Sequence, residues 1–382
     1  MKKEIIIFSL FMVLFILLIN SSFKYNRVQK NQRYYVFDSD MNMTHNNTKS
    51  LPGAILKSLN SLDVKKTHQY TDAHIIFTHK LDDMEKLSKL PFTKTCRWIY
   101  GLRSVNMICS KSVLALVIRN NKQINHNDVI PKTYILSSRK DYDELIEKEF
   151  DHETGEPLRP LLLKQNIQRQ NGLTFVQNVN DVIDNEKTSK QNVVCQVLLT
   201  NPYLVDARKI NMRIYLLVIC DNRLKKTKAF IYNDGFMYYT REYYSKDKIN
   251  HDTQITTGYI DRKVYEENPL TMTDFMNQKL TTQEKELFQK NLHDLFRKVM
   301  QSYEPLLNLN EYDKGPGHFI ILGCDIAPDI DLNIKILEIN KGPDLSYKDK
   351  RDGELKYQMV RSAFNAIHTQ SYNNINNYTQ VL

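Results

Sequence analysis

The chain has 382 residues, of which 41% are hydrophobic and 25% charged, with 11 glycines and 11 prolines. This length and composition allow a buried core in two or three subdomains and exclude a disordered or fibrous protein. The formal net charge of +9 indicates an acidic partner: nucleic acid, an anionic membrane surface or an acidic protein tail. We expect no nucleic-acid binding, because no RNP-type motif, Cys/His finger spacing or dense Lys/Arg block is present.

The N-terminal residues 5–19 form an uncharged apolar run that follows Lys2 and Lys3. At about 1.5 Å per residue, the run is slightly shorter than the roughly 20 residues that a bilayer core needs. A cleaved signal peptide has a similar pattern, but the small-x-small cleavage pattern after Ile19 is poor. We therefore predict a retained hydrophobic membrane helix followed by a basic neck, together covering residues 1–33.

Charge on either side of this run predicts the orientation of the chain. The basic residues that follow the run outnumber the two before it and are Lys24, Arg27, Lys30 and Arg33. By the positive-inside rule, the rest of the chain should face the cytosol. Glycosylation sequons would instead suit a lumenal domain, and they occur at Asn42, Asn46 and Asn377. Because the chain is rich in Asn, chance sequons are expected, and we predict the cytosolic orientation.

Residues 34–140 are predicted to form a small N-terminal α/β subdomain. Strand, helix and strand in succession open a unit with a parallel sheet. The predicted elements are a strand at 34–40, a helix near 52–61, a strand at 73–79, an amphipathic helix at 110–120 and an extended run at 128–136.

The second predicted region covers residues 158–371 and is rich in strands. A charged stretch with prolines at 140–160 is predicted to separate it from the first. Its strands are predicted at 161–164, 173–177, 193–199, 212–220, 228–232, 319–325 and 334–339. The clearest helix is at 281–305, where apolar residues recur on one face. The Asn-rich tail, residues 372–382, is predicted to be disordered.

Two apolar strands near the carboxyl end carry oxygen-bearing side chains. Asp325 closes the first, and Glu338 and Asn340 share one face of the second because strand side chains alternate. Two acids and an amide that converge suit Mg²⁺ when a triphosphate supplies the remaining ligands. Alternatively, each acid simply ends a strand at the surface. Glu338 argues against this, because it lies inside an apolar run where an unpartnered carboxylate is costly.

A second group of polar residues lies on earlier strands. Lys209, Asn211 and Arg213 alternate and therefore share one strand face, while the residues between them face the core. Because Lys164 directly follows three leucines, we favour a functional role for it over that of a solvent-exposed surface lysine.

These segments resemble, in order, those of the tubulin tyrosine ligase-like enzymes. The likeness runs from about residue 97 to 345, and it depends on the order of several segments rather than on any one of them. The matching segments are IPKTYIL (130–136), LLLKQ (161–165), NGLTFV (171–176), VVCQVLLTNPYLVDARKINMRIYLLV (193–218), IYNDGFMYYT (231–240), ITTGYI (255–260), ILGCDIAPDI (321–330) and IKILEINKGPDL (334–345).

The resemblance implies an α/β protein of the α+β kind with an ATP-grasp fold, in which ATP lies between two sheet-based lobes. It implies catalytic roles for Arg213 and Glu338, and a further basic match at Lys111. The nucleotide-binding residues that it implies are Lys164, Gly172, Gln196, Val197, Leu198, Lys209, Asn211 and Thr256. The magnesium ligands that it implies are Asp325, Glu338 and Asn340.

The implied activity is ATP-dependent activation of a carboxylate as an acyl phosphate, followed by amide formation with an amino acid. The expected acceptor is tubulin or another acidic protein tail, the expected amino acid is glutamate, and we expect a monomer. Alternatives are a ligase with a non-tubulin substrate and a non-catalytic, membrane-bound tubulin-binding protein.

Three positions depart from the family pattern. Asn211 replaces Asp, Thr257 replaces Asn, and Tyr238 replaces Arg. The first two keep hydrogen-bonding ability, whereas Tyr238 removes a cation near the phosphates, for which Arg241 could compensate. A weakened or altered catalyst therefore stays open as an alternative.

Overall fold

The structure, a computed structural model, describes residues 31–37, 51–78, 83–87, 89, 91–166, 172–188, 192–310 and 315–382. They form a mixed α/β protein, as predicted. The chain divides into two compact units: the first holds the described residues up to 78 with 91–97 and 345–376, and the second holds the rest. The predicted subdomain at 34–140 is thus shared between the two units.

Short strands and three long ones alternate with helices along the chain. The strands are β1 (Arg33–Phe37), β2 (Lys65–Lys66), β3 (Ile75–Thr78), β4 (Trp98–Tyr100), β5 (Thr133–Ile135), β6 (Leu161–Gln165), β7 (Leu173–Phe175), β8 (Asn192–Val197), β9 (Leu204–Val205), β10 (Arg208–Asp221), β11 (Lys226–Thr240), β12 (Thr256–Thr257), β13 (Gly317–Pro328), β14 (Ile334–Asn340) and β15 (Tyr378–Gln380). The helices are α1 (Gly53–Ser61), α2 (Asp83–Leu87), α3 (Val105–Ile108), α4 (Lys111–Asn120), α5 (His126–Val129), α6 (Arg139–Glu149), α7 (Val179–Thr188), α8 (His251–Gln254), α9 (Val264–Glu267), α10 (Met272–Lys279), α11 (Thr282–Asn310) and α12 (Lys350–Thr369).

The first unit contains the predicted strand, helix and strand. β1 pairs in parallel with β2 and with β3, and α1 packs against α12. The ring centroids of Phe77 on β3 and Phe364 on α12 lie 5.8 Å apart, so that helix covers the sheet with its apolar face. The predicted strand at 34–40 ends at Phe37 in the described part of the chain, and residues 38–40 lie outside it.

The second unit contains a mostly antiparallel sheet built around β10. β11 and β13 flank β10, β14 pairs with β13, and β4 joins the opposite end of β13 in parallel. The long helix α11, predicted at 281–305, packs its apolar face against this sheet, with Phe288 and Phe296 fully buried. Two apolar layers, one from the sheet and one from the helices, thus form the main core.

A smaller sheet in the same unit has the order β5, β8, β6, β7, with every neighbouring pair antiparallel. The predicted separator at 140–160 is wrong, because α6 lies in that stretch and buries Leu145 in the core of this sheet. Two buried carboxylates of this stretch, Asp141 and Glu149, are paired inside the fold. Glu149, which is 1% exposed, accepts hydrogen bonds from Arg159 at 2.6 Å and from the Tyr134 hydroxyl at 2.5 Å.

The carboxyl-terminal tail is ordered at the residues that form β15, which corrects the predicted disorder there. β15 pairs antiparallel with β11, and the Val381 amide donates to the Ala229 carbonyl at 2.8 Å. Tyr378 is 7% exposed. The Asn-rich composition misled the prediction, because the few apolar side chains between the asparagines supply the burial that orders the strand.

The predicted membrane helix at residues 5–19 lies outside the described residues. Within the part of the chain that the structure describes, no helix combines the length and apolar character needed to cross a bilayer. α11 and α12 are 29 and 20 residues long, but charged side chains recur along both. We therefore correct the predicted membrane localisation, and the cytosolic orientation that was derived from it is withdrawn.

Candidate functional site

Three neighbouring strands bring the predicted charged residues side by side. On β10, Arg213 lies directly opposite Asp325 of β13, which lies opposite Glu338 of β14. Asn340, two residues further along β14, pairs with Gly323. Because side chains alternate along a strand, Glu338 and Asn340 share one face, as the sequence predicts.

Asp325 is engaged by the guanidinium of Arg213. The distance from Nε to Oδ1 is 2.6 Å and that from Nη2 to Oδ2 is 3.1 Å, so the pair is bidentate. Gly323 leaves room for this arrangement, because a Cβ there would lie 3.0 Å from Cδ of Arg213. On the other side, the ring centroid of Tyr238 lies 5.4 Å from Cζ of Arg213. Arg213 is therefore fixed between a carboxylate and an aromatic ring.

Glu338 has two partners of its own. Its Oε2 lies 3.3 Å from Nζ of Lys111, the first residue of α4, and its Oε1 accepts from Nδ2 of Asn340 at 2.9 Å. The same Nδ2 lies 3.4 Å from Oδ2 of Asp325. Asn340 therefore bridges the two carboxylates.

The two carboxylates have pKa values that move in opposite directions. Burial raises the pKa of Asp325, against the opposing charge of Arg213. Burial acts in the same sense on Glu338, but Lys111 and the hydrogen bond from Asn340 outweigh it, so that the pKa of Glu338 is lowered. Glu338 is therefore held ionised.

Two buried lysines lie near these residues, one on β6 of the smaller sheet and one on β10 itself. Lys164 on β6 is 8% exposed, and its Nζ donates to Oε1 of Gln196 at 2.6 Å. Gln196 in turn donates from Nε2 to the hydroxyl of Thr133 at 2.8 Å, which fixes the amide orientation. Burial lowers the pKa of Lys164 to about 8, with further effects from the charges of Glu338, Lys111 and Asp325.

Lys209 on β10 is 5% exposed. Burial, and then the charge of Lys164, lower the pKa of its ammonium group to about 8. Among the residues that the structure describes, no carboxylate pairs with this ammonium group. Lys209 is thus a shielded cation with no counter-ion among the described residues.

Among the described residues, the charges around this site, which we call the cleft, do not balance. The cations are Lys111, Lys164, Lys209 and Arg213, and the anions are Asp325 and Glu338. With the lysines protonated, the cleft has an excess of two positive charges. Shielded charges are costly unless they are paired, so the cleft favours an anionic ligand.

The remaining predicted residues lie around this cleft. Asn211 shares the strand face of Lys209 and Arg213, and its buried Oδ1 accepts no hydrogen bond within the described part of the chain. Gly172 has φ +70°, and a Cβ there would lie 2.6 Å from the Gln165 side chain, so its backbone requires glycine. The preceding residue, at the start of the matching segment 171–176, lies outside the described residues.

Three of the implied nucleotide-binding residues, Gln196, Val197 and Leu198, lie at the end of β8. The amide of Val197 donates to the Lys132 carbonyl at 2.9 Å, and that of Leu198 donates to the Pro160 carbonyl at 3.0 Å. Thr256 pairs with Thr240 on the far side of β11. These positions are compatible with the implied roles, which stay predictions.

No set of three His, Cys, Asp or Glu side chains suited to a metal ion occurs in the described residues. The predicted ligand set has two carboxylates and one amide, so it would depend on Asn340 and on oxygens from a bound ligand. This donor chemistry, all oxygen, suits Mg²⁺. The family resemblance implies Lys111, but sequence spacing does not reveal its contact with Glu338, because that contact joins a helix start to a distant strand.

The sequence of the chain matches a known protein family over most of its length. Residues 93–376 match the tubulin-tyrosine ligase family. The chain is therefore a member of the tubulin-tyrosine ligase family, as the sequence motifs predict.

Individual relatives in this family are distant in sequence. Over 192 residues the chain is 25% identical to tubulin polyglutamylase TTLL6 of Mus musculus, covering 45% of this chain and 23% of the relative. Over 173 residues it is 27% identical to the probable tubulin polyglutamylase ttll-9 of Caenorhabditis elegans, covering 44% and 40%. Tubulin glycylase 3D of Tetrahymena thermophila is 22% identical over 204 residues, covering 51% and 19%. The chain thus spans less than half the length of each of these relatives.

Proposed function

We propose that this chain is an ATP-dependent carboxylate–amine ligase with an ATP-grasp arrangement, which joins an amino acid to an acidic protein. The observation that carries the proposal is the cleft in which four shielded cations face two carboxylates. Such an excess of positive charge fits a nucleoside triphosphate better than a neutral ligand.

The residues present fit the proposed nucleotide and metal. Lys164 and Lys209 would hold phosphate oxygens, and the open acceptor of Asn211 would take a hydrogen bond from the nucleotide. Asp325, Glu338 and Asn340 would hold Mg²⁺, for which Asn340 would have to turn its amide oxygen toward the ion. When bound, Mg²⁺ would supply positive charge that offsets the triphosphate.

The reaction class follows from this charge distribution. A carboxylate oxygen forms a bond to the γ-phosphorus while ADP leaves, and an amine nitrogen then bonds to the acyl carbon while phosphate leaves and the amine loses a proton. Arg213 and the two lysines would keep the approaching anions together. Removing one such preorganised cation costs about 3–4 kcal/mol of transition-state stabilisation.

Tubulin is the acceptor that we propose, with glutamate as the amino acid. The net charge of +9 suits an acidic acceptor tail. Relatives named as a tubulin polyglutamylase and a tubulin glycylase support tubulin as the acceptor. The same names support glutamate or glycine as the amino acid that is added.

A second candidate is a non-catalytic protein that binds an acidic partner. It is favoured by Tyr238, whose ring covers Arg213 where the family has a second cation. Under this alternative the cleft would bind Mg-ATP without transferring an amino acid.

The test is incubation of the chain with Mg-ATP, tubulin and labelled Glu, Gly or Tyr in parallel. We expect label on tubulin, lost in Glu338→Gln but kept in Glu286→Gln, which changes an exposed acid on α11. Mg-ATP binding without transfer to any acceptor would favour the non-catalytic alternative.

A further inference from the structure

A compact group of cations lies at the hairpin tip between β10 and β11, which we call the basic tip and define as residues 221–228. Its cations are Arg223, Lys225, Lys226 and Lys228. Arg223, Lys225 and Lys226 are exposed, and Leu224 at the apex is 60% exposed. The positive charge that is concentrated at this exposed apex suits an acidic partner.

Asp221 does not neutralise this surface, because its carboxylate is used inside the turn. It is 3% exposed, and its Oδ1 accepts from the backbone amides of Arg223 at 3.0 Å and Leu224 at 3.3 Å. Arg223 also pairs with it, at 3.0 Å from Nη2 to Oδ2. Within the part of the chain that the structure describes, Lys225 and Lys226 pair with no carboxylate, so the charge of these two exposed lysines is available to a partner.

The basic tip is held in a fixed shape. Nδ2 of Asn222 donates to the Pro316 carbonyl, and the Arg223 guanidinium lies 5.7 Å from the Trp98 ring. Lys225 adopts φ +48°, as the tight turn requires. A preformed loop loses little conformational entropy when it binds.

The basic tip is separate from the proposed catalytic cleft. Arg213 and Asp221 lie eight residues apart on β10, which corresponds to roughly 25 Å along the strand. A partner that contacts the tip can therefore be held while its acceptor side chain occupies the cleft.

We propose that the basic tip is a second docking site for an acidic, glutamate-rich protein segment. The proposal rests on the proposed function only for its choice of an acidic protein as partner. Contact at two places on one acceptor raises the effective concentration of the second contact. The basic tip would thus strengthen binding of acceptors that carry one long acidic segment or several acidic segments.

The experiment is fluorescence anisotropy with a labelled oligoglutamate peptide at about 50 mM and about 500 mM salt. The variant Lys225→Glu with Lys226→Glu is compared with the wild type and with Lys122→Glu plus Lys290→Glu, which reverses two exposed lysines elsewhere. We expect the tip variant to bind about tenfold more weakly at low salt, equivalent to about 1.4 kcal/mol, and the control to change less than about twofold. At high salt the difference should nearly disappear.

Equal weakening in the tip variant and the control would overturn the proposal, because net charge alone would then explain binding. Unchanged peptide binding in the tip variant would overturn the proposal as well. Mg-ATP titration of the same three proteins reports on the cleft independently. Failure of the wild type to bind Mg-ATP would contradict the proposed function, whereas the peptide result alone decides the role of the basic tip.

Discussion

Replacing Lys209 with Met should make the ligand-free protein more stable while weakening nucleotide binding. Lys209 is 5% exposed, and burial lowers the pKa of its ammonium group from 10.5 to about 8. A pKa change of one corresponds to about 1.4 kcal/mol, so the charged form of Lys209 destabilises the folded state by at most about 3.5 kcal/mol. Met keeps an apolar side chain of similar length without the charge. We expect a gain of about 2 kcal/mol in the free energy of unfolding at pH 7.

The sign of the pH dependence follows from the lowered pKa. Below pH 8 the folded state must bury a charged Lys209, so wild-type folding carries the full cost. Between pH 8 and 10.5 the folded state loses the proton while the unfolded state keeps it, and the cost declines. Urea unfolding at pH 7 and pH 10 measures the difference, with the exposed Lys290→Met as control. A variant that is less stable than the wild type at pH 7, or a gain that is the same at both pH values, would refute the reasoning.

Three further predictions concern residues of the second unit. Lys111→Met should cost about 2 kcal/mol of stability, because a contact at 3.3 Å contributes about 1 to 5 kcal/mol at effective dielectric constants between about 80 and about 20. The loss should be clearly smaller in a Glu338→Gln background, and equal losses in urea unfolding would exclude the pairing. Gly172→Ala should destabilise by about 2 kcal/mol and Gly342→Ala by about 1 kcal/mol, because both have positive φ but only Gly172 is also crowded; the order of the two melting temperatures checks this. Tyr238→Arg should tighten Mg-ATP binding several-fold at some loss of ligand-free stability, since it adds a cation beside Arg213; calorimetry that finds weaker binding would contradict it.

Local patterns in the sequence were sufficient for much of the second unit. Strand alternation correctly places Glu338 with Asn340 on one face. The apolar spacing on 281–305 correctly predicts α11. These features depend on neighbours in the sequence, so they can be predicted without the tertiary structure.

Features that depend on long-range contacts were missed. The pairing of Arg213 with Asp325 depends on the register between β10 and β13, and the contact of Lys111 with Glu338 depends on where α4 begins in space. The charged composition of the stretch at 140–160 predicts a separator, whereas Glu149 in this stretch is paired with Arg159 inside the fold. Composition alone cannot distinguish a solvated charge from one with a distant partner.

The central claim is that the cleft with excess positive charge binds a magnesium nucleoside triphosphate. Isothermal titration calorimetry of the wild type with Mg-ATP tests it most directly, with Lys209→Met and the exposed Lys290→Met measured in parallel. We predict binding at a single site, weakened at least tenfold in Lys209→Met and unchanged in Lys290→Met. Equal affinities in all three proteins, or no binding by the wild type, would contradict the claim.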